Sequence, residues 1–300
     1  GTPAIQNAIP MPYFGTTPFA APGLGLITGA LMAGLGWGWL QYRARVLGPG
    51  YGEPGRNDIG RSSGAAPSLS VAALPLVLVL ALNLAFTFLV IPAMDTRYLA
   101  LPEYGATDAG ALRGVWSIIA ALTLASLALV TMNWRRLATG LSATLDDGAR
   151  DALKPIFNTA SLVGFGAVIA SLSAFGLIRD WVVTVGGDNP LISLAVGTSL
   201  LAGMTGSASG GMSIALSTLG ETYLAMGQAA GVSPDLLHRV TAVATGGLDA
   251  LPHNGAVITL LTICGLTHRE AYRDIFMVAV AIPVIALVAL VAAGTAFGSF

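Results

Sequence analysis

Residues 246–261 read "GGLDALPHNGAVITLL" and place polar side chains inside an apolar run. Asp249 and His253 are ionisable, and Pro252 favours a break in any helix that contains it. In a membrane protein, ionisable groups at membrane depth face a polar cavity and mark an ion or substrate path. The stretch therefore predicts a discontinuous helix over 236–266, with the polar residues at its break.

The composition indicates that this stretch belongs to a membrane protein. Of the 300 residues, 54% are hydrophobic and only 10% are charged, whereas an average soluble domain has about 25% charged residues. The apolar runs are unbroken on all sides, which is typical of helices and not of the alternating strands of a β-barrel. The expected fold class is an all-α polytopic membrane protein.

Charge and cysteine content exclude several other classes. The net charge of −1 and the absence of a basic block argue against a nucleic-acid partner. The single cysteine, Cys264, can form no intramolecular disulfide, and no zinc-ligand spacing is present. Metal and redox sites therefore have no support in the sequence. We also expect no catalytic residues and no cofactor.

Apolar runs of about 20 residues can cross a bilayer core of about 30 Å. Five such spans are predicted, at 22–40, 71–94, 115–133, 159–178 and 276–298. Loops 41–70 and 134–158 carry more arginine and lysine than the loop at 95–113, so the positive-inside rule places them in the cytoplasm. The first span then runs inward. The last span follows a segment with Arg269 and Arg273, so it runs outward. Residues 138–152 are predicted to form a short surface helix.

Residues 189–226 contain two apolar arms of about a dozen residues, separated by "GMTGSASGG" (203–211). Each arm is too short to cross alone, so the segment is either one broken span or a re-entrant hairpin with its tip at mid-membrane. If Gly211 opens the second arm, the N-terminal N–H groups and helix dipole favour a carboxylate. The predicted substrate-binding residues of the tip are Thr205, Gly206, Ser207, Ser209 and Gly210.

The remaining predicted site residues are amides and ionisable groups. Asn254, Asn7 and Gln6 offer donors and acceptors to substrate hydroxyls, and Asp249 or His253 could carry a coupling proton. Structural alternatives remain open: small residues at the tip could serve close packing, Asp249 could cap or pair locally, and His253 could bond a carbonyl. Two histidine–arginine pairs at segment ends, His238 with Arg239 and His268 with Arg269, are interpreted as flanks.

The start of the chain, "GTPAIQNAIP" (1–10), faintly matches the break, since each combines glycine, proline and asparagine. Because the spans that follow them run in opposite directions, we predict an inverted repeat of the kind found in secondary transporters. Residues 1–40 would end the first repeat, 41–70 would be a cytoplasmic loop, and 71–300 would form the second repeat region. Since the chain begins inside this motif, we expect an N-terminally truncated fragment with an incomplete first repeat.

Three stretches, "GTPAIQNAIPMPYFGTTPFAAPGLG", "MTGSASGGMSIALSTLGETYLAMG" and "LLHRVTAVATGGLDALPHNGAVITLLTICGLTHREAYRDI", resemble the gluconate permease (GntP) family of proton symporters. The resemblance implies proton-coupled uptake of a small hydroxy-carboxylate, such as gluconate or 3-hydroxybutyrate, across the bacterial inner membrane. It also implies paired re-entrant hairpins and discontinuous helices, and a homodimer. Two alternatives stay open: sodium coupling, and an intramembrane enzyme that uses Asp249 or His253 as a base with Ser207.

Overall fold

The computed structural model describes residues 4–48, 69–105 and 109–300, and every regular element in those ranges is helical. The α-helices are α1 (Ile5–Ala8), α2 (Met11–Phe14), α3 (Pro22–Leu47), α4 (Leu69–Ala85), α5 (Ile91–Ala93), α6 (Ala109–Met132), α7 (Trp134–Leu137), α8 (Leu141–Ser171), α9 (Ser173–Thr184), α10 (Pro190–Thr205), α11 (Ala208–Ala229), α12 (Pro234–Ala244), α13 (Gly255–Cys264), α14 (His268–Phe276) and α15 (Ile282–Phe297). Five-residue π turns at Phe86–Val90 and Met277–Ala281 join α4 to α5 and α14 to α15, and 3₁₀ turns cover Arg97–Ala100, Pro102–Tyr104 and Leu248–Ala250.

Four helices are long and apolar enough to cross a membrane: Pro22–Leu47, Ala73–Ala93, Leu112–Met132 and His268–Phe297. Two further apolar helices, α10 and α13, are shorter than a span. The predicted all-helical class is thus confirmed for the described residues. The inverted repeat and the division of the chain into repeats stay predictions.

Two helix boundaries differ from the sequence-based expectation. Helix α3 continues past residue 40 to Leu47, because no proline or glycine follows until Gly48, which ends the helix at a φ of 70°. The predicted loop at 41–70 therefore begins as helix, and its residues 49–68 lie outside the described part of the chain.

The predicted surface helix at 138–152 is not separate: from Leu141 onward its residues form the first part of α8, which continues past residue 152 into the apolar sequence as far as Ser171. A break at Leu172, where the backbone is extended, separates α8 from α9 and falls inside the predicted span 159–178. Side chains are described for only part of that span, so its membrane crossing stays a prediction.

Both π turns precede an Ile–Pro pair, Ile91–Pro92 in one helix and Ile282–Pro283 in the other. Proline cannot donate to the carbonyl four residues earlier, and its ring would clash with that carbonyl in a regular helix. A wider turn before the proline relieves the clash while the helix stays continuous.

The first of two compact units contains residues 1–20 and 64–161. Helices α4 and α6 run antiparallel in it. Thr87, just after α4, donates its hydroxyl to Ser117 at 2.9 Å, whereas Pro75, earlier in α4, lies near Ala128, later in α6. Asn83, on α4, is fully buried, and neither atom of its side-chain amide has a hydrogen-bond partner in the described residues.

The second unit contains residues 21–63 and 162–300. In it, α3 lies antiparallel to the continuous helix formed by α14 and α15, since Gly23 donates its N–H to the Phe300 carbonyl at 2.9 Å and Arg43 pairs with Asp274 at 2.7 Å at the other end. The antiparallel direction agrees with the opposite orientations predicted for these two spans from loop charges.

Helices α10 and α11 form an antiparallel hairpin, termed the hairpin below, in the core of the second unit. Its two helices are in close contact at Gly211 and Ala202. A methyl group added to Gly211 would overlap the backbone of Ala202. Nearer the open end, the Tyr223 hydroxyl donates to the Ser193 carbonyl at 3.2 Å. Helix α12 packs against the hairpin and against α15, which places the following loop, residues 245–254, beside the hairpin turn.

Candidate functional site

The hairpin turn is a two-residue connection between α10 and α11. Gly206 adopts a left-handed conformation with φ of 59°, which glycine tolerates without strain. Ser207 caps α11: its side-chain oxygen accepts the Gly210 N–H at 3.1 Å and its carbonyl accepts the Gly211 N–H at 2.9 Å. Helix α11 therefore begins at Ala208, three residues before the predicted start at Gly211, and the Gly210 N–H is used within the turn.

The first two N–H groups of α11 remain open. Those of Ala208 and Ser209 have no intrachain partner in the described residues. The Thr205 hydroxyl, in contrast, donates to the Leu201 carbonyl at 2.8 Å. Of the predicted tip residues, Ser209 thus keeps both its N–H and its hydroxyl available for a ligand.

The break, residues 245–254, separates α12 from α13 and is closed by Asn254. The Asn254 side-chain oxygen accepts the Val257 N–H at 3.0 Å and so caps α13. Its amide nitrogen donates to the carbonyls of Gly206 and Asp249, both at 2.6 Å. Since both amide hydrogens are used, Asn254 is placed to position the two segments and not to donate to a substrate hydroxyl.

His253 contacts the hairpin through its ring. Its Nε2 lies 2.9 Å from the Gly203 carbonyl oxygen, and because a carbonyl can only accept, Nε2 carries the proton in this contact. Ser207 and His253 share no hydrogen bond in the described residues. The geometry favours the structural alternative for His253 and gives no support to a Ser207–His253 catalytic pair.

Two side chains of α14 hold the other side of the break, and the sequence analysis missed both. Nε2 of His268 donates to the Pro252 carbonyl at 3.0 Å, and the Tyr272 hydroxyl donates to the Ala250 carbonyl at 3.1 Å. These residues are four apart and share one face of the helix. His268, interpreted as a segment flank, is therefore part of the support of the break.

Asp249 lies in the 3₁₀ turn at Leu248–Ala250 and is half-buried. It forms no ion pair within the described part of the chain. Gln6 and Asn7 lie on α1, in the first unit, and Asn7 is buried there. Their contribution to substrate binding stays a prediction.

The interpretation of His238 and Arg239 as flanks is wrong. Both are buried, at 0% and 8% exposure, on α12. The Arg239 guanidinium lies against α3, since a methyl group added at Gly25 would stand 3.2 Å from it. Both residues are in the interior because α12 packs between the hairpin and α15.

Two helix N-termini therefore meet at Gly206. Helix α11 begins two residues after Gly206, and the cap of α13 donates to the Gly206 carbonyl. At α13 the N–H groups of Gly255 and Ala256 are also without partners among the described residues. Each helix N-terminus carries roughly half a positive charge, so four open N–H groups and two dipoles favour an anion at this position.

The chain is 40% identical over 297 residues to YxjC of Bacillus subtilis (strain 168), which is described as an uncharacterized transporter. The matched region covers 93% of this chain and 62% of the relative, so the chain spans less than two thirds of that protein's length. No known family profile matches the sequence, and no solved structure matches the chain. The resemblance to gluconate permeases stays a prediction.

Proposed function

We propose that the protein takes up a small hydroxy-carboxylate together with a proton, by alternating access in a bacterial inner membrane. The observation that carries the proposal is the meeting of the α11 and α13 N-termini at Gly206. Half-helices whose N-termini face a common point are a common anion site in secondary transporters. The 40% identity to a protein named as a transporter supports the same class.

In this proposal the substrate carboxylate accepts from the open N–H groups at the starts of the two helices. Ser209, whose side chain forms no hydrogen bond in the described residues, provides a hydroxyl for the first substrate hydroxyl. Asn254 is a positioning residue, because its amide holds the two helix starts together. The homodimer belongs to the same proposal and rests on the family resemblance. Gln6 and Asn7 stay predicted substrate ligands on the chemistry of their amides alone.

Uptake into proteoliposomes tests the proposal directly. Labelled gluconate and 3-hydroxybutyrate are presented under a pH gradient, acidic outside, with and without a protonophore, and separately under a sodium gradient at equal pH. We expect accumulation of at least one acid under the pH gradient and its loss with the protonophore. Accumulation under the sodium gradient alone would show that sodium, and not the proton, is the coupled ion. No accumulation under any gradient would contradict transport of these acids.

The two ionisable residues of the break are distinguished by their contacts. We assign the proton to Asp249, which has no ion-pair partner in the described residues, and a structural contact to His253, which donates to the Gly203 carbonyl. Asp249→Asn should keep exchange of labelled for unlabelled substrate and lose accumulation. His253→Gln, which keeps a donor, should accumulate substrate within about twofold of the natural protein, since a replaced neutral hydrogen bond changes the free energy little.

A further inference from the structure

A cavity lies entirely within the first unit, where the helix ending at Ala93 and the helix beginning at Ala109 lie side by side. Its volume is about 530 Å³, and apolar side chains, among them Phe86, Leu112 and Trp116, form most of its wall. A cavity of this size holds a drug-sized ligand or part of a lipid. It shares no residue with the site at the hairpin tip, and the inference below is independent of the proposed transport.

Arg113 provides the only charge among the described residues that line the cavity. Its Nε atom is buried and has no hydrogen-bond partner in the part of the chain that the structure describes. A buried guanidinium donor without a partner is costly. An anionic group held in the cavity would satisfy it, and the fork of the guanidinium matches phosphate oxygens in geometry.

The cavity also lies at the ends of two helices that can cross a membrane, Ala73–Ala93 and Leu112–Met132. Tyr98 and Tyr104 line it and pack edge to face with ring centroids 5.3 Å apart, and both are about half exposed. Tyrosine and tryptophan concentrate at the level of lipid headgroups. The cavity thus combines a cation, aromatic rings and an apolar wall at the depth where a phospholipid has its phosphate above its acyl chains.

We propose that this cavity binds an anionic phospholipid, with the phosphate on Arg113 and one acyl chain along Phe86 and Leu112. A zwitterionic lipid has the same phosphate but adds a cation beside it, which Arg113 would repel. A lipid with a net negative charge is therefore preferred.

The test compares the affinities of phosphatidylglycerol and phosphatidylcholine with identical acyl chains. Native mass spectrometry measures their equilibrium binding to the purified full-length protein in detergent. We expect phosphatidylglycerol to bind about fivefold more tightly, the effect of one arginine near an anionic lipid. Arg113→Gln should abolish this preference and Arg113→Lys should keep most of it. Arg97→Gln is the matched control, because Arg97 is an exposed arginine of the segment between α5 and α6 and does not line the cavity.

A second measurement locates the lipid and does not depend on the arginine variants. Phosphatidylglycerol with brominated chains should quench tryptophan fluorescence, and Trp116→Phe should remove part of that quenching. Equal affinity for the two lipids, or an Arg113→Gln variant that keeps the preference while melting at the natural temperature, would overturn the proposal. Binding of oleate that depends on Arg113, with no preference for phosphatidylglycerol, would also overturn it, since the ligand would then be a free fatty acid.

Discussion

The side-chain amide of Asn254 donates to the carbonyl of Gly206 at 2.6 Å, and this bond connects two segments that are 48 residues apart in sequence. The same side chain caps α13 through the Val257 N–H. Gly206 is the residue that turns the chain from α10 into α11. One side chain therefore fixes the starts of two helices with respect to each other.

Replacement of Asn254 by aspartate separates its two roles. A carboxylate still caps α13 by accepting the Val257 N–H, but it cannot donate to the Gly206 and Asp249 carbonyls and would repel them. We expect uptake to fall at least about tenfold, since two part-buried acceptors lose their donor at about 1 kcal/mol or more each. The measurement is initial uptake rate in proteoliposomes at matched protein content.

Asn189→Asp is the control for that variant. Asn189 also caps a helix, α10, by accepting the Leu191 N–H at 3.0 Å, but it lies at the opposite end of the hairpin from the tip. The variant should transport within about twofold of the natural protein, because aspartate still accepts the capping bond. The bond that it loses is the one that the Asn189 amide donates to the Thr295 hydroxyl at 2.8 Å, which is exposed to solvent. Equal losses in the two variants would mean that the Asn254 bond has no special role in positioning the site.

Close packing in the hairpin predicts a contrast between two glycines. A methyl group at Gly211 would overlap the backbone of Ala202, whereas one at Gly255, the first residue of α13, would meet nothing within 4 Å. Gly211→Ala should cost about 1–3 kcal/mol, the usual effect of overpacking, and lower the melting temperature in detergent. Gly255→Ala should leave it unchanged or raise it slightly, because alanine favours helix.

The sequence predicted the segments of the site better than the roles of their residues. Glycine and proline interrupt otherwise apolar runs at 203–211 and 246–255, so the positions of the hairpin turn and of the break follow from local conformational preference. The partner of each polar atom does not, because it depends on packing between distant segments. Asn254, expected to bind substrate, is saturated by contacts within the protein.

The same limit explains what was missed elsewhere. His238 and Arg239 lie in the middle of α12, and the packing of that helix between the hairpin and α15 buries them. The contacts of His268 and Tyr272 could have been suspected, since their i, i+4 spacing puts both on one face of α14. Their acceptors, carbonyls in an irregular loop, carry no signal in the sequence.

The Arg43–Asp274 pair predicts strong coupling between α3 and α14. Nε of Arg43 lies 2.7 Å from Asp274, the Trp39 indole donates to the same carboxylate at 2.9 Å, and the two charged side chains are only 11% and 17% exposed. Removing one partner leaves a charge with little access to water, which typically costs about 3–5 kcal/mol. Arg43→Met alone should therefore lower the melting temperature markedly.

A double-mutant cycle checks that interpretation. Arg43→Met combined with Asp274→Leu removes both charges and should be more stable than the sum of the two single changes indicates, because neither charge is then left unpaired. Arg45→Met, in the same turn of α3 but exposed, should change stability by less than about 0.5 kcal/mol. Additive effects in the cycle would show that the contact contributes nothing of its own.

Asn83 predicts the opposite result, a substitution that stabilises. Its side chain, on α4, is fully buried, and neither amide atom has a partner in the described residues. Thr87, one turn later, donates to Ser117 at 2.9 Å. A buried amide without hydrogen bonds costs about 1–3 kcal/mol, so Asn83→Leu should raise the melting temperature in detergent. Thr87→Val, of similar shape, should lower it, since Ser117 then loses its donor at a cost of about 0.6–2 kcal/mol. A lower melting temperature for Asn83→Leu would contradict the prediction that the unpartnered amide destabilises the pair of helices.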